Sequence, residues 1–342
     1  MSKILRRVLY VFLSMSLFWA FFWWQTHPLL AVVGGVGLVF GFVPVLGVQF
    51  LTLWWGNRAD PSPRATPNQL VLAWWEEVKL TVKVFIVDQA YREHRFSDTF
   101  TQKTLLVRQD KDLAQQGKTA PVMGDLSSIT KKQRGVVFIH GFLCNRGFWN
   151  PWLQRLQEEG IPFVAISLEP VFSSIDNYTP MVERAVRDIA AQHGVAPLLI
   201  CHSMGGLAAR AWLRANPGSE SRVSHIVTIG TPHHGTMLVR RPGFAVNATQ
   251  MQKNSAWVQK LAADEMAHPN AQSESAYQNP SAKPVQSNPY AHFTCYYSNC
   301  DNIVFPPLTA TLEGADNRFV SGQAHVQMAF DEIVMRESLA RL

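Results

Sequence analysis

Residues 198–206 read Leu-Leu-Ile-Cys-His-Ser-Met-Gly-Gly, an apolar run that breaks on a serine and passes at once into a helix-like stretch. A strand–serine–helix turn of this kind exposes the hydroxyl at a tight corner, and Gly205 lets the two backbones pass closely. Ser203 is therefore the candidate nucleophile. Cys201 stands where the small-x-Ser-x-Gly pattern usually has glycine, and it is still a small side chain. A serine hydroxyl becomes nucleophilic when a base takes its proton and an acid orients that base. Downstream, the strand-like run 292–297 ends in Ser298-Asn299-Cys300-Asp301, and a short strand at 317–320 leads into Ser321-Gly322-Gln323-Ala324-His325. Asp301 is the expected acid and His325 the expected base. Asp316, just before the final strand, is the other acid in range. A developing oxyanion needs backbone N–H donors. The strand 135–139 runs into His140-Gly141-Phe142, and the amides of Phe142 and Met204 are the expected donors. Gly141 lets that loop bend toward the site, His140 is expected to order it, and Met204 opens a helix whose first amides and dipole favour negative charge.

The elements that must carry these residues alternate strand and helix, as a parallel sheet requires. Strands are expected at 163–168, 198–201 and 223–229, with helices at 181–193 and from Ser203 to the Asn216-Pro217-Gly218 stop. In this arrangement the chain resembles the lipase and esterase branch of the α/β-hydrolase superfamily, bacterial lipases in particular, over roughly 135–342. The resemblance rests on His140-Gly141-Phe142, on His202-Ser203-Met204-Gly205-Gly206 and on Thr228-Ile229-Gly230-Thr231-Pro232-His233-His234-Gly235-Thr236. It rests also on Asp301-Asn302-Ile303-Val304 and on Gly322 to His325. It implies an α/β-hydrolase fold, a mostly parallel central sheet flanked by helices, with nucleophile, acid and histidine in that chain order. It also implies a cap or lid insertion at about 236–290, holding a helix at 245–263 and a polar linker, over the active site as a mobile cover.

The implied activity is a serine lipase or esterase that cleaves carboxylic esters through an acyl-serine intermediate, with no cofactor and no metal. His202, His233 and His234 are read as structural, because no carboxylate or second histidine stands at a helical ligand spacing beside them. The same triad could instead serve an acyltransferase or thioesterase, and a non-catalytic membrane-bound interaction module is the reading from another class.

The chain has 342 residues, 47% of them hydrophobic, and a net charge of +6. No Asp, Glu, Lys or Arg occurs from Val8 to Gly56, whereas about one residue in four is charged in a soluble domain. The stretch divides at Gln25-Thr26-His27-Pro28 into candidate spans 8–24 and 29–55, compared with roughly 20 residues needed to cross a bilayer core. Two transmembrane helices, a hairpin over 1–57, are therefore expected. Trp23, Trp24, Trp54 and Trp55 stand at span ends, and Lys3, Arg6, Arg7, Arg58 and Arg64 flank the pair. By the positive-inside bias this puts both termini and the catalytic domain on the cytoplasmic side of an inner membrane. A re-entrant second segment, interrupted by Gly34, Gly35, Gly37, Gly41 and Pro44, would leave a single span and a periplasmic-facing enzyme. A cleaved signal peptide is disfavoured by the length of the apolar run and by bulky residues where small ones should stand.

Residues 58–132 read as a linker, Asp60-Pro61-Ser62-Pro63-Arg64, then an amphipathic stretch. Val71, Trp74, Val78, Val82 and Phe85 recur at helical spacing, which suits a helix lying on the membrane surface or packed on the core equally well. Residues 80–87 could also be a strand, and a short edge strand is expected at 104–108. The catalytic domain is expected over 133–342. Cys144 and Cys201 read as buried thiols, and Cys295 and Cys300 as a reduced pair. The basic balance suits an anionic lipid surface rather than nucleic acid, since no Lys/Arg stripe appears. The expected partners are a lipid or ester substrate and the bilayer, and oligomeric state is not readable.

Overall fold

The computed structural model describes residues 1–99, 133–239, 245–267 and 288–342. Its centre is a six-stranded, wholly parallel sheet in the order β2-β1-β3-β4-β5-β6. The strands are β1 (Val136–Ile139), β2 (Phe163–Ile166), β3 (Leu198–His202), β4 (His225–Ile229), β5 (Phe293–Tyr297) and β6 (Asp316–Phe319). A parallel sheet is covered on both faces, so its strands read as continuous apolar runs, and β1 and β3 are buried throughout. The period of two sorts their side chains. Val137, Ile139, Leu199 and Cys201 join the core on one face, while Val136, Phe138, Leu198 and Ile200 join that on the other.

Of the helices around the sheet, α1 (Ser2–Trp23), α2 (Pro28–Phe40), α3 (Phe42–Gly56) and α4 (Pro67–Leu80) precede β1. They are followed by α5 (Asn150–Glu158), α6 (Thr179–His193), α7 (Met204–Ala215), α8 (Val246–Gln250), α9 (Ala256–Ala267), α10 (His325–Ala329) and α11 (Glu332–Leu339). The first face carries α6 and α7, whose Val182, Val186, Leu207 and Trp212 are buried. The second carries α5 and α11, through Trp152, Leu153, Leu156 and Val334. Helix α7 follows β3 with no intervening loop and crosses close over β1. A Cβ on Gly205 would stand 2.2 Å from the Ile139 carbonyl oxygen, and one on Gly206 2.3 Å from Thr231 Oγ1. Gly205→Ala is therefore expected to destabilise the fold by about 3 kcal/mol or more, since a backbone carbonyl cannot step aside. Thermal melting in detergent measures this, and an unchanged midpoint would contradict the close packing.

The apolar N-terminus is helical. Helix α1 is long and apolar enough to cross a membrane, and none of its residues is buried. It packs antiparallel on α2 through small residues and side-chain-to-backbone bonds, Ser16 Oγ donating to the Gly35 carbonyl (2.8 Å) and Trp19 Nε1 to that of Leu30 (3.0 Å). The second expected span is not one straight helix: α2 and the helical run after it bend by 57° and pass the same length test only as a pair. Pro44 explains the break. Its nitrogen has no hydrogen to give the Phe40 carbonyl, and its ring crowds that turn.

Of the two placements open for the amphipathic stretch, α4 takes the core. Thr66 and Gln69 form a capping box at its start, with Pro67 in the first turn. Its buried residues are Ala73, Glu77 and Val78, while Val71, Leu72 and Trp75 stay exposed. Residues Thr81–Asp88 continue as a π-helix rather than a strand. The wider turn shifts the phase of the buried face, so Val84 is buried while Val82 is exposed. The edge strand expected at 104–108 lies outside the described residues.

The described part of the insertion after β4 packs on the body. Its expected single helix is two, α8 and α9, separated where Asn254 adopts φ 55°. Helix α9 lies along α7, with Val258 and Leu261 buried. Fully buried Arg210 of α7 grips Glu265 through Nε (3.0 Å) and Nη2 (2.5 Å), Nη2 also reaches the Tyr290 hydroxyl (3.3 Å), and Nη1 donates to the His233 carbonyl (3.0 Å). Arg214 adds ion pairs to Asp176 and Asp264. Removing one partner from such a buried pair leaves an uncompensated charge. Arg210→Met is therefore expected to cost about 3–5 kcal/mol, read as a lowered melting midpoint, whereas a neutral change would mean the clamp does not hold the helix. The rest of the expected insertion, 240–244 and 268–287, lies outside the described residues.

Candidate active site

The chain leaves β3 at His202 and turns at Ser203 with φ 55° and ψ −128°, a backbone conformation that non-glycine residues rarely hold. The neighbours maintain it: Ser203 N–H donates to the Ile229 carbonyl (2.9 Å), and Thr231 Oγ1 donates to the Ser203 carbonyl (2.9 Å). Cys201, in the usual glycine position, is fully buried in the core. Ser203 itself is 6% exposed at the C-terminal edge of the sheet. Among the described residues its hydroxyl makes no hydrogen bond.

Asp301 and His325 meet beside this turn. His325 Nδ1 lies 2.9 Å from Asp301 Oδ2, and both side chains are buried. The other carboxylate oxygen, Oδ1, accepts from the amides of Ile303 (2.9 Å) and Val304 (2.7 Å), which fixes the plane of the acid. Gly230, the first residue after β4, is the point of closest approach, because a Cβ there would stand 2.9 Å from Asp301 Oδ2 and 3.1 Å from His325 Nδ1. The alternative acid is elsewhere: Asp316 opens β6 at the opposite edge of the sheet and pairs with Arg318 and Arg341. The imidazole is held above its usual value. Burial alone would lower it, but the Asp301 charge and hydrogen bond, together with Glu77, more than offset that.

The loop after β1 lies against the serine. A Cβ on Gly141 would be 2.7 Å from Ser203 Cβ, so only glycine fits there. Burial pushes the His140 imidazole down to about 4, leaving it neutral at physiological pH. Its Nε2 accepts from the Leu168 amide (2.9 Å), so Nδ1 carries the hydrogen and donates to the Gly141 carbonyl (2.8 Å). This bond fixes the peptide that precedes the Phe142 amide. Phe142 is half-buried, with its ring edge-on to Phe172, and the Met204 amide heads α7 one residue after the serine. Of the other histidines, His202 donates through Nε2 to the His325 carbonyl (3.2 Å) and stacks on Phe148. His233 lies between Thr228, Cys295 and Arg210. All four cysteines are free and buried.

Sequence reasoning missed what holds the acid and the base from outside. Phe50 and Leu53 of α3 share a buried cluster with Cys300, Phe305 and Ala324, the neighbours of Asp301 and His325. Gln49 Oε1 accepts from Asn302 Nδ2 (2.8 Å), and Asn302 Oδ1 in turn accepts from the His325 amide (3.3 Å). A glutamine inside an uncharged apolar helix was the available signal, since such groups seek a partner. Glu77 of α4 accepts from the amides that follow His325, and nothing in its spacing marks it. Met1, at the far end of α1, pairs with Glu169 just beyond β2. The apolar helices therefore meet the body at the same edge of the sheet that carries Ser203.

A family model described as Alpha/beta hydrolase family matches residues 136–339. No curated protein sequence matches the chain. Among solved structures, the mature Bacillus licheniformis lipase BlEst2 superposes with a TM-score of 0.50 at 16% identity, over 65% of this chain and 95% of that one. Aspergillus fumigatus lipase B aligns with a TM-score of 0.46 at 14% identity, over 64% and 54% of the two chains. A monoacylglycerol lipase of Paleococcus ferrophilus aligns with a TM-score of 0.41 at 10% identity, over 61% and 97%. The sheet, the elbow and the match across more than half the chain together make this protein a member of the alpha/beta hydrolase family.

Proposed function

We propose that the protein is a membrane-anchored serine hydrolase that cleaves carboxylic esters of lipids, in the manner of a lipase, esterase or phospholipase. The observation that carries the reading is the His325 Nδ1–Asp301 Oδ2 contact of 2.9 Å beside a serine in a strained elbow. His325 Nε2 takes the Ser203 proton as Oγ attacks the ester carbonyl, and Asp301 stabilises the imidazolium. The Phe142 and Met204 amides hold the oxyanion. The imidazolium then protonates the departing alcohol, leaving the acyl group on Ser203. Water, deprotonated by His325, attacks that ester and frees the acid and the serine.

The lipidic substrate is supported by the apolar helices that pack beside the acid and histidine loops, because anchoring raises the local concentration of a membrane ester. A cleft of about 670 Å³ opens at the foot of α3, lined by Trp55, Arg58, His234, Met237 and Lys253 among others. Aromatic and cationic groups of this kind suit the headgroup level of a bilayer. In this reading α1 spans the membrane, the α2–α3 pair makes the second, bent pass, residues 1–57 form the anchor, and the body from 133 onward is the cytoplasmic catalytic domain.

The purified full-length protein in detergent is assayed on p-nitrophenyl esters of increasing chain length and on phosphatidylglycerol vesicles. Turnover that grows with chain length and includes the vesicle lipid is the expected result. Turnover confined to short soluble esters would overturn the lipid assignment, and none at all would overturn ester hydrolysis. As the base works only when neutral and its affinity for protons is raised, the acid limb of kcat/KM is expected above the ordinary histidine midpoint of about 6.5.

A further inference from the structure

Helix α4 holds the histidine loop at two points. Gln69 Nε2 donates to Ser321 Oγ (2.9 Å), and two turns on Glu77 accepts from the amides of Val326 (3.2 Å to each oxygen) and Gln327 (3.3 Å). These are the first amides after His325. Glu77 is 2% exposed, and among the described residues no lysine or arginine pairs with it. Burying a carboxylate without a cation is costly, and a neutral serine or asparagine could cap the same amides at lower cost. What a carboxylate adds is charge, and the group near it that gains a positive charge during ester cleavage is the His325 imidazole.

We propose that Glu77 is a positioning residue for ester cleavage, which fixes the turn carrying His325 and supplies a second negative charge, beside Asp301, that stabilises the imidazolium. This rests on the Ser203–His325–Asp301 reading above. The titratable groups facing the imidazole are Asp301 from the loop after β5, His202 from the end of β3 and Glu77 from α4. Burial pushes the Glu77 carboxyl up to about 7, against the opposing pull of His325 and the two amides. It carries its charge above that midpoint and loses it below. The device also joins the catalytic base to a helix that packs on α3 through Trp74, whose Nε1 donates to the Val43 carbonyl (3.2 Å).

The test is the titration of His325 in full-length protein in detergent, followed by NMR with ¹³C-labelled histidine and assigned by the resonance lost in His325→Gln. Glu77→Gln keeps the shape and one acceptor oxygen but removes the charge. It is expected to lower the His325 midpoint by about one pH unit, tenfold in proton affinity, and to move the acid limb of kcat/KM the same way with KM little changed. Glu76→Gln, on the exposed side of the same helix and paired with Lys79, is expected to leave both where they are. A merely structural cap would change yield or melting without moving the titration. A His325 midpoint in Glu77→Gln equal to that of the wild type overturns the proposal. This readout needs no turnover, so it decides the role of Glu77 even if the ester assay fails.

Discussion

Replacing Ser203 with alanine is expected to lower kcat by about 10⁴- to 10⁶-fold while leaving the melting midpoint near that of the wild type. The loss is large because Oγ is the atom that forms the covalent bond, and no other hydroxyl occupies the elbow. It is near neutral for folding because the turn is held by the backbone bonds of Ile229 and Thr231 rather than by the hydroxyl, which has no partner among the described residues. His325→Ala is expected to fall to the same residual rate, and the double variant no lower, because a nucleophile without its base gains little. A stepwise loss, each variant multiplying the other, would mean that the two act independently and would contradict the triad.

The second large effect concerns the acid. Asp301→Asn is expected to cost about 10⁴-fold in kcat, through the tautomer of His325 rather than through a lost contact. Asp301 Oδ1 accepts from the Ile303 and Val304 amides, so an asparagine there must keep its carbonyl oxygen on those donors. Its NH₂ then points at His325 Nδ1, which can only accept from it, and the ring hydrogen moves to Nε2. An imidazole in that state cannot take a proton from the serine. Asp316→Asn, at the other edge of the sheet and tied to Arg318 and Arg341, is expected to leave kcat within about twofold, as surface changes do. Equal losses from both variants would reopen the assignment of the acid.

The strands and the elbow were readable because their signals are local. Apolar runs of four or five residues alternate with helical periods, and the small residues at 205 and 206 mark where α7 presses on β1 and on Thr231. The acid and the histidine could be proposed because each ends a short strand of its own. The bend in the second apolar segment was also marked, by Gly41 and Pro44, although length alone argued for a straight span. What could not be read is long-range. Glu77 lies 249 residues from Val326, Gln49 lies 253 from Asn302, and no periodicity links such pairs before the chain folds. The same holds for Arg210 and Glu265, which tie α9 to α7. The predicted apolar stripe holds at Trp74, Val78 and Phe85, which pack on the body, and breaks at Val71 and Val82, which are exposed; the π-helix after Leu80 changes the turn at Val82.

The most direct measurement is covalent capture of the nucleophile. Full-length protein in detergent is treated with a fluorophosphonate, digested, and mapped by mass spectrometry. A single adduct on Ser203, absent after heat denaturation and in Ser203→Ala, and slowed in His325→Ala, is the predicted result. Folded wild-type protein that stays unlabelled, or that is labelled at another residue, would contradict the assignment of Ser203 as the nucleophile.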